Sequence, residues 1–286
     1  MNAIVRKLKS RAVDYVMARL CRNGGFCFYR LEEPNGADTY YALAILDLLN
    51  VPFRDRNTES FLQGLQHADG TYDGIYAAFY SLCGLRLLDR KPVYDPGPYV
   101  AGSVGAYRLD ADHLPAEVTS LFQRPACLVD LFLQTGLKAT RKQRDRFIRL
   151  ILEFRNSDGG FGYRRSTLTD TAHALRMLQG LSYPVASLRT EKFIRQCEVI
   201  PFGFTDMPGS SLSYLEYLDA GVSASQIGHF RPRYLEACVD FVAGCQNRNG
   251  GFARAGQGGI STLENTFYAV RSLKILEVMN ERRETP

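Results

Sequence analysis

Asp170 and His173 stand three residues apart in "TLTDTAHAL", residues 167 to 175. On a helix that spacing puts both side chains on one face, where the carboxylate could orient the imidazole. An imidazole titrates near neutrality, so the pair could give and take a proton. The plainer reading is a hydrogen-bonded, half-buried histidine behind a helix cap. Asp38, Asp170 and Asn265 each open an apolar helical run, where Asp and Asn suit an N-cap. They could also form a polar ring whose helix dipoles favour an anion. Arg164 and Arg165 follow "GGFGY", and Arg30 and Arg254 follow two other glycine turns. Either they are solvated, or they make a basic rim fit to hold a diphosphate. Tyr40, Tyr41, Tyr76, Tyr80, Tyr214, Tyr217 and Tyr268, with Phe79 and Phe267, gather on predicted helices. They pack as core, or they line a pocket that buries apolar chains and stabilises cations.

The elements that must carry these residues repeat. "STLTDTAHALRML" (166–178) aligns with "STLENTFYAVRSL" (261–273), sharing Ser, Thr, Leu, Thr, Ala, Arg and Leu at the same offsets. Further copies are "NGADTYYALAILDLL" (35–49) and "HADGTYDGIYAAFYSLCGLRLL" (67–88). Two weaker ones are "LFQRPACLVDLFLQTGL" (121–137) and "FGFTDMPGSSLSYLEYLDAGV" (202–222). In each unit an apolar helix ends near a Gly-Gly-Phe turn, whose glycines supply the positive φ of a C-cap. A loop follows, then a second apolar helix. The second helices are expected to start near 38, 74, 123, 170, 211 and 265. Strand-like alternation is nowhere sustained. The expected fold is all-α: one α/α toroid, or barrel, of six helical hairpins over 1–286, with a central cavity.

The turns "CQNRNGGF" (245–252) and "FRNSDGGF" (154–161) in such a sextet resemble the prenyltransferase and squalene-cyclase repeat superfamily. The resemblance implies the α/α toroid shared by protein prenyltransferase β subunits and class II terpenoid cyclases. It implies an isoprenoid-handling enzyme that binds a prenyl diphosphate or polyene chain in an aromatic-lined cavity. Asp170 and His173 are then the catalytic candidates. Asp38, Tyr41, Tyr76, Arg164, Arg165, Tyr214, Asn265 and Tyr268 are the substrate-binding candidates. The transferases hold zinc with an Asp-x-Cys pair and a His. His173 falls in the His slot, and Tyr214 and Tyr268 occupy it in later repeats. Ile75 stands where the Cys after Asp73 would be. One good ligand is too few for a zinc site, so no metal is expected, although Mg could accompany a diphosphate. The cyclases carry Asp-x-Asp-Asp before Thr-Ala. Asp170, Thr171 and Ala172 match its end, and Thr169 stands in the acid position. A hydroxyl of ordinary acidity cannot protonate an alkene. "LDADHL" (109–114) echoes the pattern at the wrong place in the repeat. Two other readings stay open. One is a zinc-dependent prenyltransferase β-like subunit needing a helical α-type partner, and the other is a non-catalytic toroid used for binding or assembly.

Bulk composition narrows the class further. The chain has 286 residues, 45% hydrophobic and 23% charged, with net charge +5, so it reads as an ordinary globular protein. The charge is uneven: "KATRKQRDRFIR" (138–149) carries six basic residues against one Asp. That segment is a solvated helix face or a peripheral contact for anionic lipid or phosphate. Basic residues do not interleave with aromatics in a stripe, so no nucleic-acid role is expected. Seven scattered cysteines without a CxxC suit small buried hydrophobes in a reducing, cytoplasmic setting. The first twenty residues read as an amphipathic helix, and no run approaches the ~18 apolar residues of a membrane span.

Overall fold

The computed structural model describes residues 2–28, 33–109, 120–136, 140–256 and 258–281. It is helical, with one two-residue antiparallel pair, Glu198–Val199 with Gly203–Phe204. The helices are α1 (Asn2–Met17), α2 (Gly36–Leu48), α3 (Arg56–Gln63), α4 (Ile75–Leu87), α5 (Gly97–Ala106) and α6 (Gln123–Gln134). They continue as α7 (Arg141–Leu152), α8 (Leu168–Gly180), α9 (Glu191–Gln196), α10 (Leu215–Ile227), α11 (Leu235–Gly244) and α12 (Leu263–Glu281). This order is compatible with six hairpins. The chain divides into two compact units. Unit 1 is Met1–Tyr99 with Phe241–Lys274, and unit 2 is Val100–Asp240 with Ile275–Pro286.

Even-numbered helices differ from odd ones in how much they bury. In α2 the whole run Ala42 to Leu46 is buried, and in α4 so are Ile75, Ala78, Phe79 and Ser81 to Leu85. Helix α7, by contrast, buries only Phe147 and Ile151, and α3 only Thr58 and Leu62. A helix apolar on most sides belongs inside, and one with a single apolar stripe belongs on the outside. Within unit 1, α2 packs on α4; within unit 2, α8 packs between α6 and α10.

Five of the seven residues shared by the two best copies have the same structural duty in both. Thr167 caps α8 by accepting the Asp170 N–H (3.0 Å), and Thr262 caps α12 by accepting the Asn265 N–H (2.9 Å). Thr171 and Thr266 each accept the N–H of the turn phenylalanine, Phe161 (2.9 Å) and Phe252 (3.1 Å). Ser166 and Ser261 receive the amides of Asn156 (3.1 Å) and Asn247 (2.8 Å), which lock the glycine turn. Leu168, Leu263, Ala174 and Ala269 are wholly buried. The repeat is therefore a clasp: a turn phenylalanine tied through its own N–H to the first turn of the following helix. Replacing Thr266 with valine keeps the shape and leaves the buried Phe252 N–H without an acceptor. We expect a loss of about 1–3 kcal/mol in urea unfolding; an unchanged midpoint would mean the clasp is energetically idle.

The last turn is also held from outside. Arg11 of α1 donates to Gln246 Oε1 (3.0 Å) and to the Asn247 and Arg248 carbonyls (2.9 Å each). Tyr15 donates to the Ser261 carbonyl at 2.7 Å. Gly250 adopts φ +89, and a Cβ there would lie 2.2 Å from the Arg11 carbonyl oxygen. Only glycine admits both that conformation and that approach.

Two boundary expectations need correction. The helix expected near 211 starts at Leu215, because Pro208 and Gly209 (φ +77) form a turn and Ser210 to Tyr214 lie outside the helix, with Tyr214 extended. Ser213 ties that stretch to the Phe204 carbonyl at 2.6 Å. Asp38, Asp170 and Asn265 are not N-caps. The caps are Asn35, Thr167 and Thr262, and the three predicted residues sit one turn in. Acidic residues are favoured at both positions, at the cap by hydrogen bonding and in the first turn by the helix dipole.

Candidate functional site

In unit 2, α8 presents Asp170 and His173, and the residue just before α6 joins them. Ser120 donates its hydroxyl to Asp170 Oδ1 at 2.7 Å, and the Leu121 N–H donates to the same oxygen at 2.9 Å. His173 Nδ1 lies 2.8 Å from Ser120 Oγ. Ser120 has a single proton for these two contacts, so when it goes to the carboxyl, Nδ1 carries the hydrogen of the second contact. The expected direct orientation of His173 by Asp170 is thus replaced by a bridge: carboxyl, serine, imidazole. Ser120 also accepts the Phe122 N–H at 3.1 Å. With its proton and both lone pairs committed, and the residue 2% exposed, it is a bridge and not a nucleophile.

Asp170 is 6% exposed, and burial pushes its carboxyl above the ordinary range. The hydrogen bonds from Ser120, Thr167 and Leu121 oppose that shift, and the negative charge of Asp206 adds to it. A raised value makes the carboxyl a weaker acid and a poor donor to an alkene. Asp206 reaches α8 from the loop before α10. Its carbonyl accepts the Leu168 N–H (2.7 Å), and its Oδ1 accepts the Thr169 N–H (3.0 Å) and hydroxyl (2.7 Å). With Thr167 on Asp170, the first three N–H groups of α8 are all taken. The start of this helix therefore does not offer its donors to an anion, contrary to the polar-ring expectation at Asp170.

Unit 1 holds the aromatic residues expected on the inner helices. Tyr40, Tyr41, Phe79, Tyr80, Phe267 and Tyr268 form one cluster from α2, α4 and α12, with ring centroids 5.2 to 6.4 Å apart. The four tyrosines are half-buried and the two phenylalanines buried. Tyr41 and Tyr268 both donate to Glu264 Oε1, at 3.0 and 2.9 Å. Burial, with Tyr268 and Glu264 beside it, pushes the Tyr41 phenol well up. The Arg271 guanidinium lies over Phe267 at 4.7 Å. Asp38, in the first turn of α2, is raised by burial and further by Glu264, while Asn35 and Arg19 pull it down. Asn265 is half-buried in the first turn of α12.

Other predicted residues fall elsewhere. Tyr76 is 37% exposed on α4, which gives Phe79 and Tyr80 to the cluster. Tyr214 belongs to unit 2, where its ring lies 5.3 Å from that of Tyr217. Arg164 and Arg165 are exposed and line a groove of about 740 Å³ with Ser166 and the loop Met207 to Leu212. Arg30 and residues 110–114 lie outside the described residues. On α7, Arg141 and Arg144 flank Asp145 at 3.7 and 3.9 Å, and Arg146 donates to the Gly105 and Tyr107 carbonyls. Among the described residues no helix is long and apolar enough to cross a membrane. All seven cysteines are buried, and none is in a disulfide.

Ser120, Asp206 and Glu264 were not among the sequence candidates. Ser120 lies 50 residues from Asp170, and Asp206 lies 37 from Thr169, so nothing local marks them. Glu264 did carry a signal, its i,i+4 spacing to Tyr268.

The prenyltransferase alpha-alpha toroid domain model matches residues 1–67 and 127–285, well over half of the chain. The chain belongs to this family. Its fold is accordingly the family's α/α toroid. Solved structures of similar fold include a Candida albicans protein geranylgeranyltransferase-I complexed with GGPP. That match has TM-score 0.62 and 15% identity, and covers 86% of this chain and 85% of that one. A type II terpene cyclase from Scytonema, in complex with its substrate geranylgeranyl dihydroxybenzoate, matches at TM-score 0.64 and 13% identity, over 97% and 98%. A protein from Actinoplanes matches at TM-score 0.55 and 17% identity, over 96% and 99%. No curated protein matches the chain.

The zinc that the transferase branch of this family uses does not fit the residues present. His173 gives its Nδ1 to Ser120, and Asp73 pairs with His67 at 2.9 Å on the surface. Ile75 is buried in the position of the missing thiolate. Among the described residues no three His, Cys, Asp or Glu side chains gather as ligands.

Proposed function

We propose that this toroid binds an isoprenoid, as a prenyl diphosphate or a polyene chain, against the aromatic cluster of α2, α4 and α12. We assign its acid/base chemistry to Asp170 and His173. The observation that carries the reading is the set of half-buried tyrosine rings, Tyr40, Tyr41, Tyr80 and Tyr268, over buried Phe79 and Phe267. Rings left half-covered by their own fold gain about 25 cal/mol for each Å² of apolar ligand surface they bury. Similar folds that hold geranylgeranyl ligands support it. In the proton path Ser120 is the carrier: the carboxyl of Asp170 and Nδ1 of His173 exchange a proton through its hydroxyl.

The test is native mass spectrometry of the purified protein with farnesol, farnesyl diphosphate and geranylgeranyl diphosphate, beside lipid extraction of the protein as isolated. We expect at least one prenyl compound to bind and Tyr80→Ala to weaken it roughly tenfold, about 1.4 kcal/mol. Binding of none, or full binding by Tyr80→Ala, would sink the reading. The structural duties of five of the seven repeat residues keep a second reading in view, a binding or assembly toroid without catalysis. Under it, ligand binds and Asp170 serves stability alone.

A further inference from the structure

We propose that Glu264 makes the aromatic face selective for isoprenoids with an uncharged or hydrogen-bond-donating end, a prenyl alcohol or amine, over prenyl diphosphates. The inference rests on the reading that this face binds an isoprenoid.

The hydrogen-bond inventory leads to it. A phosphate oxygen needs donors, and each phenol has one proton to give. Tyr41 and Tyr268 both give theirs to Glu264 Oε1, at 3.0 and 2.9 Å. The Asp38 N–H goes to Asn35 Oδ1 at 2.8 Å, and the Asn35 amide goes to Asp38 Oδ2 at 2.5 Å. The Asn265 N–H goes to Thr262. These five donors of Asn35, Asp38, Tyr41, Asn265 and Tyr268 are thus engaged, three of them on carboxylates. Two of those carboxylates, Asp38 and Glu264, lie close enough to raise Asp38 further.

The nearby cations do not reverse the balance. The Arg271 guanidinium is laid over the Phe267 and Tyr268 rings at 4.7 and 5.9 Å, and that of Arg19 over the Tyr15 ring at 3.3 Å while donating to the Tyr15 carbonyl. A diphosphate arriving here meets like charge, with the Tyr41 and Tyr268 phenol protons already given to Glu264. A hydroxyl or ammonium instead donates to Glu264, which as a carboxylate has lone pairs beyond the two it uses. An ammonium gains a further attraction from the ring faces.

The experiment measures farnesol, farnesylamine and farnesyl diphosphate by competition on wild type, Glu264→Gln and Tyr268→Phe. Thermal melts check that each protein is folded. Wild type is expected to bind the alcohol and the amine at least tenfold more tightly than the diphosphate. Glu264→Gln removes the charge, and the ratio should fall to within about threefold. Tyr268→Phe keeps the ring and the charge, so the ratio should persist even if the Gln variant folds poorly. Equal or tighter binding of the diphosphate by wild type overturns the selectivity and leaves isoprenoid binding standing. An unchanged ratio in Glu264→Gln removes Glu264 as its cause. Failure of all three probes overturns the isoprenoid reading, and this inference with it.

Discussion

Adding one methyl group at Gly250 is expected to lower the melting temperature by roughly 10 °C. Two costs combine. An L-residue forced into the left-handed region costs about 1–2 kcal/mol. The new Cβ would also stand 2.2 Å from the Arg11 carbonyl oxygen, far inside contact distance, against backbone that cannot rotate away. Relief would require α1 to withdraw from the turn. That would stretch the Arg11 bonds to Gln246, Asn247 and Arg248 and crowd the Tyr15 ring, which already fills the space beside Gly251. Such overpacking costs about 1–3 kcal/mol more. The chain provides its own control. Gly258 has φ +74 with nothing within 4 Å of its Cβ position, so Gly258→Ala meets the conformational cost alone. Differential scanning calorimetry of both variants separates the two effects. Equal shifts would show that the approach of α1 is not a constraint on the turn.

That contrast also explains what the sequence made legible. The glycine turns, the apolar second helices and the shared Ser, Thr and Leu positions were readable because their partners lie within about fifteen residues. Thr266 meets Phe252 fourteen residues away, and Ser261 meets Asn247 at the same separation. A repeat copies such local sets as a block, so two copies in one chain expose them. The caps were misplaced by three residues for a related reason. Both Thr167 and Asp170 are plausible at a helix start, and only the φ of −120 at Thr167 decides which is outside.

The candidate site obeys different rules. Its parts are the places where the copies differ: Thr169 against Glu264, Asp170 against Asn265, His173 against Tyr268. Each substitution is matched by a partner elsewhere in its own unit. Thr169 is met by Asp206, Asp170 by Ser120, and Glu264 by Tyr41. Divergence could be seen in the sequence, but its compensation could not, because the compensating residues come from loops and helices of other repeats. The same slot consequently does two jobs. In α8 it holds an imidazole on a serine, and in α12 a phenol on a glutamate.

Asp170 holds Ser120 and Leu121 by hydrogen bonds and is also the proposed proton holder, and two substitutions separate these roles. Asp170→Ala strips the acceptor from a buried N–H and a buried hydroxyl, those of Leu121 and Ser120, at a cost of about 1–3 kcal/mol for each orphaned group. Asp170→Asn keeps an oxygen at Oδ1 for both donors, so its fold should be retained at pH 7. The pH dependence fixes the sign of the difference. Burial raises the carboxyl in the folded protein above its ordinary value of 3.8, so the folded state holds this proton more tightly than the unfolded chain. The stability this confers is fully present below 3.8 and is lost as pH rises through the raised value. Wild type should therefore gain on Asp170→Asn as pH falls towards 4 and fall back to parity or below by pH 8. Urea unfolding of the three proteins across that range measures it. If the alanine and asparagine variants lose equally at pH 7, hydrogen bonding through Oδ1 is not what holds Ser120 and α8 together. If asparagine is stable yet the His173 ring nitrogens, followed by NMR, keep their wild-type titration, the carboxyl and the imidazole are not coupled through Ser120. The proton path would then be lost while the scaffold stands.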